Sequence, residues 1–298
     1  MKKITVVVLV WVALVSCIMS CSSEKPHVYT SSISNVANDE VGVRSETDVW
    51  TGLYFQKNNM PSKSCQVSGN SYTGSYKQSI VDKLNSYTTD IYEDERDIEF
   101  GLRSDNGNLA YINFMNAAFF DTEPYLDDVD NSYDYAIELS TGIAQNYVGN
   151  IQDYTMLTEE PVRRYKERDG KTYEITYYEV TFAKKINGYF SSDYIEVKVT
   201  SKGHLASVML GDIHAFENRA IDFDISAVNK SIADKIDTTY QKSEYKVTDF
   251  NIMDQKIVLT PNGDICMYSE VSVDVIDNSD SEIKTGIAIL TVIGKNSR

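Results

Sequence analysis

Histidine and cysteine carry much of the nucleophilic, acid–base and metal-binding chemistry of proteins, and this chain has little of either. Its 298 residues include three histidines and four cysteines. His27 lies in a polar N-terminal stretch, His204 opens an extended run beside a glycine turn, and His214 follows Asp212 in a segment that reads as a loop. There is no HExxH, no Walker loop, no GxGxxG and no GxSxG, so the common zinc-protease, nucleotide and serine-hydrolase readings have no foothold. Ser22-Ser-Glu-Lys25 satisfies S-x-x-K in letters only, inside a polar stretch without apolar period. Basic charge is short as well: 28 Lys and Arg face 44 Asp and Glu, a formal charge of -16. Such a surface repels phosphate backbones, so no nucleic acid is expected as a partner.

The remaining reactive groups do not assemble into a catalytic pattern. A Cys65 and His214 nucleophile pair would lack a recognisable elbow or oxyanion loop around it. Carboxylate chemistry is open to a chain this acidic, yet no particular pair stands out. Asp127, Asp128, Asp130, Asn131 and Asp134 bunch oxygen atoms as calcium loops do, but an EF-hand counted from Asp128 needs Gly where Tyr133 stands and Glu where Leu139 stands. An irregular calcium loop or a solvated linker are the two readings left there. Asp277 to Glu282 reads as a hairpin loop. No catalytic residue, metal ligand or cofactor is therefore assigned. Cys65 and Cys266 could form a disulfide tying the first folded segment to the last, or remain two buried thiols. What the chain does have in quantity is tyrosine, 21 in all. Tyrosine joins a wide apolar ring to a polar tip and suits both half-exposed sheet faces and peptide- or sugar-binding surfaces. Tyr173, Tyr177, Tyr189 and Tyr194 are the candidate binding face.

The N-terminus carries an export signal. Lys2-Lys3 precede an uncharged run from Ile4 to Val15 that is apolar but for Thr5, the order of charge then apolar core found in secretory leaders. The run ends in Leu14-Val15-Ser16-Cys17 and then Ile18-Met19-Ser20-Cys21. Both resemble the bacterial lipobox, in which a small residue precedes a cysteine that becomes lipid-modified. The resemblance implies a signal peptide over 1–20, lipidation of Cys21 or Cys17, and attachment to the outer face of a membrane of the bacterial envelope by two acyl chains. An uncleaved anchor helix is the alternative, although the run is short for a span of about 30 Å. Loss of Lys2 and Lys3 with the leader would deepen the charge to about -18. Residues 21–48, rich in Ser, Asn, Asp and Glu, read as a flexible tether.

Beyond it the pattern alternates between helical and extended periods. Strands are expected at Val49 to Phe55 and near Cys65 to Val67. A helix follows on Tyr76, Ile80, Leu84 and Tyr87, and then a hairpin of Asp97 to Ser104 with Asn108 to Met115. A second helix has the stripe Ala136, Leu139, Ile143 and Tyr147. It leads to strands at Val162 to Glu167, Thr172 to Ile186, Tyr194 to Ser201 and His204 to Leu210, with turns at Asp169-Gly170, Asn187-Gly188 and Lys202-Gly203. At the adjacent Tyr177 and Tyr178 the apolar phase shifts, which means either a bulge or a strand covered on both faces. A third helix on Ile225, Val228, Ile232 and Ile236 precedes strands at Glu244 to Ile252, Lys256 to Thr260, Asp264 to Ile276 and Ile283 to Ile293. The segment from Ile98 to Ala110 also aligns with Ile195 to Ala206 after one gap. The expectation is an α+β chain of repeated helix-on-antiparallel-sheet units at 49–120, 134–215 and 222–298.

The second unit, with Tyr173-Glu-Ile-Thr-Tyr-Tyr-Glu-Val-Thr-Phe182 and Tyr194-Ile-Glu-Val-Lys-Val-Thr-Ser-Lys-Gly203, resembles PepSY-like modules of exported bacterial proteins, and all three units resemble cystatin-like helix-on-sheet folds. The resemblance implies a non-catalytic envelope lipoprotein that binds or scaffolds another exported protein or peptide. A peptidase-restraining module is the narrower form of that reading. A carboxylate-dependent surface hydrolase is the alternative from a different class.

Overall fold

The computed structural model describes residues 43–46, 53–81, 87–122, 133–217, 219–241 and 245–295. Cys17, Cys21, His27 and the acidic cluster from Asp127 to Asn131 lie outside them. The chain begins with β1 (Val43–Glu46), β2 (Leu53–Phe55), β3 (Lys63–Val67), β4 (Asn70–Val81), β5 (Thr88–Glu93), β6 (Glu99–Arg103) and β7 (Leu109–Asn113). Helix α1 (Tyr133–Val148) is followed by β8 (Thr155–Thr158), β9 (Val162–Arg168), β10 (Lys171–Ile186), β11 (Tyr189–Thr200) and β12 (Leu205–Leu210). Helix α2 (Ile225–Tyr240) and the strands β13 (Lys246–Leu259), β14 (Asp264–Ile276) and β15 (Glu282–Lys295) complete it.

The strands form one connected sheet in the order β1-β15-β14-β13-β11-β12-β7-β6-β5-β4-β2. Strand β10 lies on the other edge of β11 and carries β8 and β9, while β3 joins through β4. Every ladder is antiparallel except β11 with β13, a parallel contact of two register pairs, Phe190 with Lys256 and Ser191 with Ile257. That short ladder fuses a C-terminal meander to the larger N-terminal sheet. The expected repeat of helix-on-sheet units is thereby corrected. Two helices among the described residues serve fifteen strands, and the ladders of β7 with β12 and β11 with β13 run across both expected unit boundaries. Residues 43–46, expected within the tether, pair with β15.

The helix expected on Tyr76 to Tyr87 is a strand through Val81. A spacing of four is even, so an unbroken two-residue period would also put Tyr76 and Ile80 on one side, although the strand's irregularity instead sets the Tyr76 hydroxyl against Ser79 Oγ at 2.8 Å. The β4 ladder to β5 is irregular between Tyr76 and Gln78, which blurs the alternation that would have identified it. Gly74 fits the extended reading, because a Cβ there would stand 2.7 Å from the Glu93 backbone of the neighbouring strand. Similarly, the two strands expected from Glu244 to Ile252 and from Lys256 to Thr260 are replaced among the described residues by a single strand, β13 (Lys246–Leu259), with an irregularity between Ile252 and Asp254.

The other two helices form as their stripes require. In α1, Ala136, Ile143, Ala144 and Val148 are buried, while Leu139 and Tyr147 pack partly buried against the same core. That core takes in Ile195, Val197 and Val199 of β11, all fully buried, so α1 covers one face of the middle sheet. Gly149, at φ 68°, lets the backbone turn left-handed where the helix ends. Asp224 caps α2 by accepting from the Ser226 N–H at 2.9 Å. Val228, Ile232 and Ile236 of α2 enter a second core built on β13, β14 and β15. At Tyr177 and Tyr178 both sides of the strand are covered: Tyr177 stacks on Phe120 at 6.3 Å, and Tyr178 meets Tyr133 of α1 at 5.4 Å.

Candidate functional site

Among the described residues, no helix lies on the face of the middle sheet opposite α1. Alternation sends Ile195, Val197 and Val199 toward α1, and hence Tyr194, Glu196 and Lys198 to the other side. Register extends this side into two rows across the sheet. One runs Thr181, Glu196, Met209, Tyr111 and Gly101; the next runs Glu179, Lys198, Ser207, Asn113, Glu99 and Glu93. Most of these side chains are partly exposed.

Neighbouring charges tie the rows together. Lys198 Nζ lies 2.5 Å from Glu179, and Lys77 Nζ sits between Glu93 at 2.5 Å and Glu99 at 3.5 Å. The Tyr111 hydroxyl donates to Glu99 Oε1 at 2.8 Å. Its ring lies across Gly101, where a Cβ would fall 2.4 Å from a ring carbon, and the Tyr194 ring lies in the same way over Gly211. Glycine makes room for two flat-lying rings, a platform of the kind aromatic stacking uses.

Glu196 stands in the middle of this face. Burial, then the negative charge of Glu179, pushes its carboxyl up to about 7, with Glu159 adding to the rise and Lys198 opposing it. Because Lys198 is already held by Glu179, its charge is shared. The result is a carboxylic acid that exchanges its proton near neutral pH, with Glu179 as the nearest second carboxylate, while Glu99 lies three strands away across Met209 and Tyr111. Burial, with Glu99 adjacent, also raises the Tyr111 phenol, keeping it a hydrogen-bond donor.

A second polar cluster lies at the start of β11. Asp193 accepts from the Tyr154 hydroxyl at 2.6 Å and from the His214 N–H at 3.2 Å. Asp212 accepts from Ser192 Oγ at 2.6 Å and faces Arg103 Nη2 at 3.7 Å. Burial raises both carboxyls, against the lowering effect of these hydrogen bonds. Ser192 and Asp193 leave the strand on opposite sides, so the two acids do not line one cleft. Their donors are protein groups, and the arrangement pins the 211–217 loop, including His214 in the left-handed conformation at φ 63°. This is a structural latch.

The four candidate tyrosines do not form one surface. Tyr177 is buried against Phe120. Tyr189 packs against Phe223 at 5.7 Å, in the second core. Tyr173 lies opposite Lys166 on the β9–β10 hairpin, and of the four only Tyr194 is a partly exposed neighbour of Glu196 on the helix-free face, since Tyr177 points to the same side but is covered by Phe120. Cys65 and Cys266 are thiols, not a disulfide: the first lies on β3 in the core under α1, the second on β14 in a small cluster with Val258 and Tyr268. The alternative of two buried thiols is the one observed. Burial, with Asp94 adding to it, pushes the Cys65 thiol up to about 12, and His214 Nδ1 is engaged by Glu217 at 2.7 Å. Neither group is thus prepared for a nucleophilic pair. His204 belongs to a turn, its N–H donating to Thr200 Oγ1. The Asp277 loop is a hairpin turn in which one carboxylate oxygen accepts from the Ser279 and Ser281 N–H groups. Among the described residues no three His, Cys, Asp or Glu side chains gather as a metal ion would need, and no helix is long and apolar enough to cross a membrane.

Glu196, Tyr111 and Glu99 escaped the sequence reading because each looks like an ordinary solvent-facing position of an alternating strand. Comparison with family models, with curated proteins and with solved structures finds no match for this chain.

Proposed function

We propose that the protein is a non-catalytic lipoprotein of the bacterial cell envelope, anchored through Cys21 or Cys17 at the outer face of a membrane, that binds another exported protein through the helix-free sheet face. The observation that carries the proposal is the set of Tyr194, Glu196, Tyr111 and Glu99, partly exposed on a sheet side that neither helix covers among the described residues. Rings lying flat over glycine offer a broad apolar contact with polar tips, the composition favoured where one protein meets another. Fixed strands hold these groups, so little side-chain freedom is lost on binding. The acidic balance of the whole chain keeps nucleic acid out of this role.

Glu196 itself favours a second reading. A carboxyl raised to about 7 is suited to general-acid work, which fits a carboxylate-dependent hydrolase acting on an envelope polymer. One experiment separates the two. A soluble chain beginning at Ser22 is incubated with isolated envelope material, and both co-sedimentation and released fragments are measured. Binding predicts co-sedimentation that Tyr194→Asp abolishes, with no fragments released. Fragment release that disappears in Glu196→Gln would establish the hydrolase and overturn the binding role.

A further inference from the structure

The outer edge of the sheet at β8 and β9 has a different character from the rest of the molecule. Strand β8 pairs with Val180–Ala183 of β10, and β9 with Lys171–Tyr177. Among the described residues neither has a strand on its other side. Together they form one interrupted edge, broken at Glu159, Glu160 and Pro161. Alternate backbone N–H and C=O groups along such an edge point outward and can template another strand.

Two features mark this edge. Of the eight large apolar side chains most exposed among the described residues, four lie on it: Met156 at 45%, Leu157 at 39%, Val162 at 49% and Tyr165 at 63%. In addition, β9 reads Val162-Arg-Arg-Tyr-Lys-Glu-Arg168, four basic residues against one acid in a chain of formal charge -16. Charges and proline guard many edges against aggregation, and Pro161 fits that duty. A guard, however, gains nothing from exposed Val162 and Tyr165, which instead add apolar contact for a strand laid alongside. The basic run also discriminates between occupants. Two copies joined through this edge would bring four positive residues against four, whereas an acidic strand would place opposite charges across the new ladder, each pair stabilising by about 0.2–1 kcal/mol.

We infer that the β9 edge accepts an extended segment of an exported partner, alternating acidic and apolar residues, as an additional strand. This rests on the reading of the chain as a binding module and assigns it a second contact, on a different side of the sheet from Tyr194 and Glu196. Main-chain hydrogen bonds supply the common affinity. Arg163 and Arg164, both exposed, lie on opposite faces of β9, so whichever face receives the acidic side chains of an alternating strand offers an arginine that supplies the preference for acid. Arg163 already has a weak partner in Glu174 at 3.5 Å, which a better-placed carboxylate can replace.

The test uses the soluble chain from Ser22 and a fluorescent ten-residue peptide of alternating Glu and Val, with a Lys and Val peptide as control. Fluorescence anisotropy should show saturable binding of the acidic peptide, weakened by added salt, and none of the basic one. Arg163→Glu with Arg164→Glu should weaken binding at least tenfold. Both positions are exposed, so the unfolding midpoint of this double variant should stay near wild type, confirming that it folds. Equal binding of the two peptides, or binding indifferent to the double variant, overturns the inference. A concentration-dependent dimer abolished by the double variant would assign the edge to a second copy and overturn it as well. The titration uses purified components only, so its outcome is independent of whether the chain co-sediments with envelope material.

Discussion

Replacing Glu196 by Gln should stabilise the protein, and by an amount that grows with pH. The glutamate is raised from 4.5 to about 7 in the folded chain, so between those values the native state binds more protons than the unfolded one. Stability conferred by the proton is therefore present at low pH and is lost as pH rises through that window. The full shift corresponds to about 3 kcal/mol. Glu196 is partly exposed as a residue, so solvent screens part of this, and about 1–2 kcal/mol is the working figure. Glutamine keeps the shape and carries no charge, while Lys198 retains Glu179 as its partner. Urea unfolding of both proteins at pH 4.5 and pH 8 checks the reasoning. The expected result is near-equal stability at the lower pH and a Gln variant more stable by that figure at the higher. A difference that does not change with pH, or a Gln variant less stable at pH 8, would refute the electrostatic account of this face.

Three further outcomes follow from the packing. Gly211→Ala should cost more than Gly101→Ala: the first Cβ would meet the Ser192 carbonyl oxygen at 2.0 Å, a backbone atom, whereas the second meets only side chains, the Tyr111 ring and the Thr89 methyl, which can shift. Within the usual overpacking range of about 1–3 kcal/mol, the two should fall at opposite ends in urea unfolding. Tyr154→Phe removes the hydroxyl that Asp193 accepts and should destabilise by about 2 kcal/mol, with faster amide exchange in the 211–217 loop. In the chain from Ser22, iodoacetamide should leave Cys65 unmodified until denaturant is added and then label two thiols without any reductant; a need for reductant would contradict the separate placement of Cys65 and Cys266.

The middle strands and both observed helices were legible because their periods agree with their surroundings. Val228, Ile232 and Ile236 repeat at helical spacing and are all buried. Asn187-Gly188 and Asp169-Gly170 adopt positive φ at both residues, as the tight hairpins they were expected to close require. The β4 strand misled because its even spacing serves either period. The joining of the sheet was hidden for another reason: a two-residue parallel ladder between β11 and β13 links segments far apart in sequence, and no local pattern encodes it.

The candidate site was hidden by an irregularity. Counting from the turn, where Ile186 pairs with Tyr189, an unbroken hairpin would set Glu196 opposite Glu179. Like charges directly opposed are unfavourable. The irregularity between Ala183 and Lys185 shifts the register so that Glu179 meets Lys198 and Glu196 faces Thr181. That shift leaves Glu196 without a cation of its own across the ladder. It cannot be deduced by counting along the chain.

The most direct test of the proposed binding role places a photo-crosslinking residue at Tyr194 of the protein in living cells, with the same residue at Lys230 on the exposed side of α2 as control. Irradiation should yield a discrete higher-mass protein adduct from Tyr194 and none from Lys230. Equal adducts from both positions, or none from Tyr194, would contradict the assignment of the helix-free face as the surface that meets a partner.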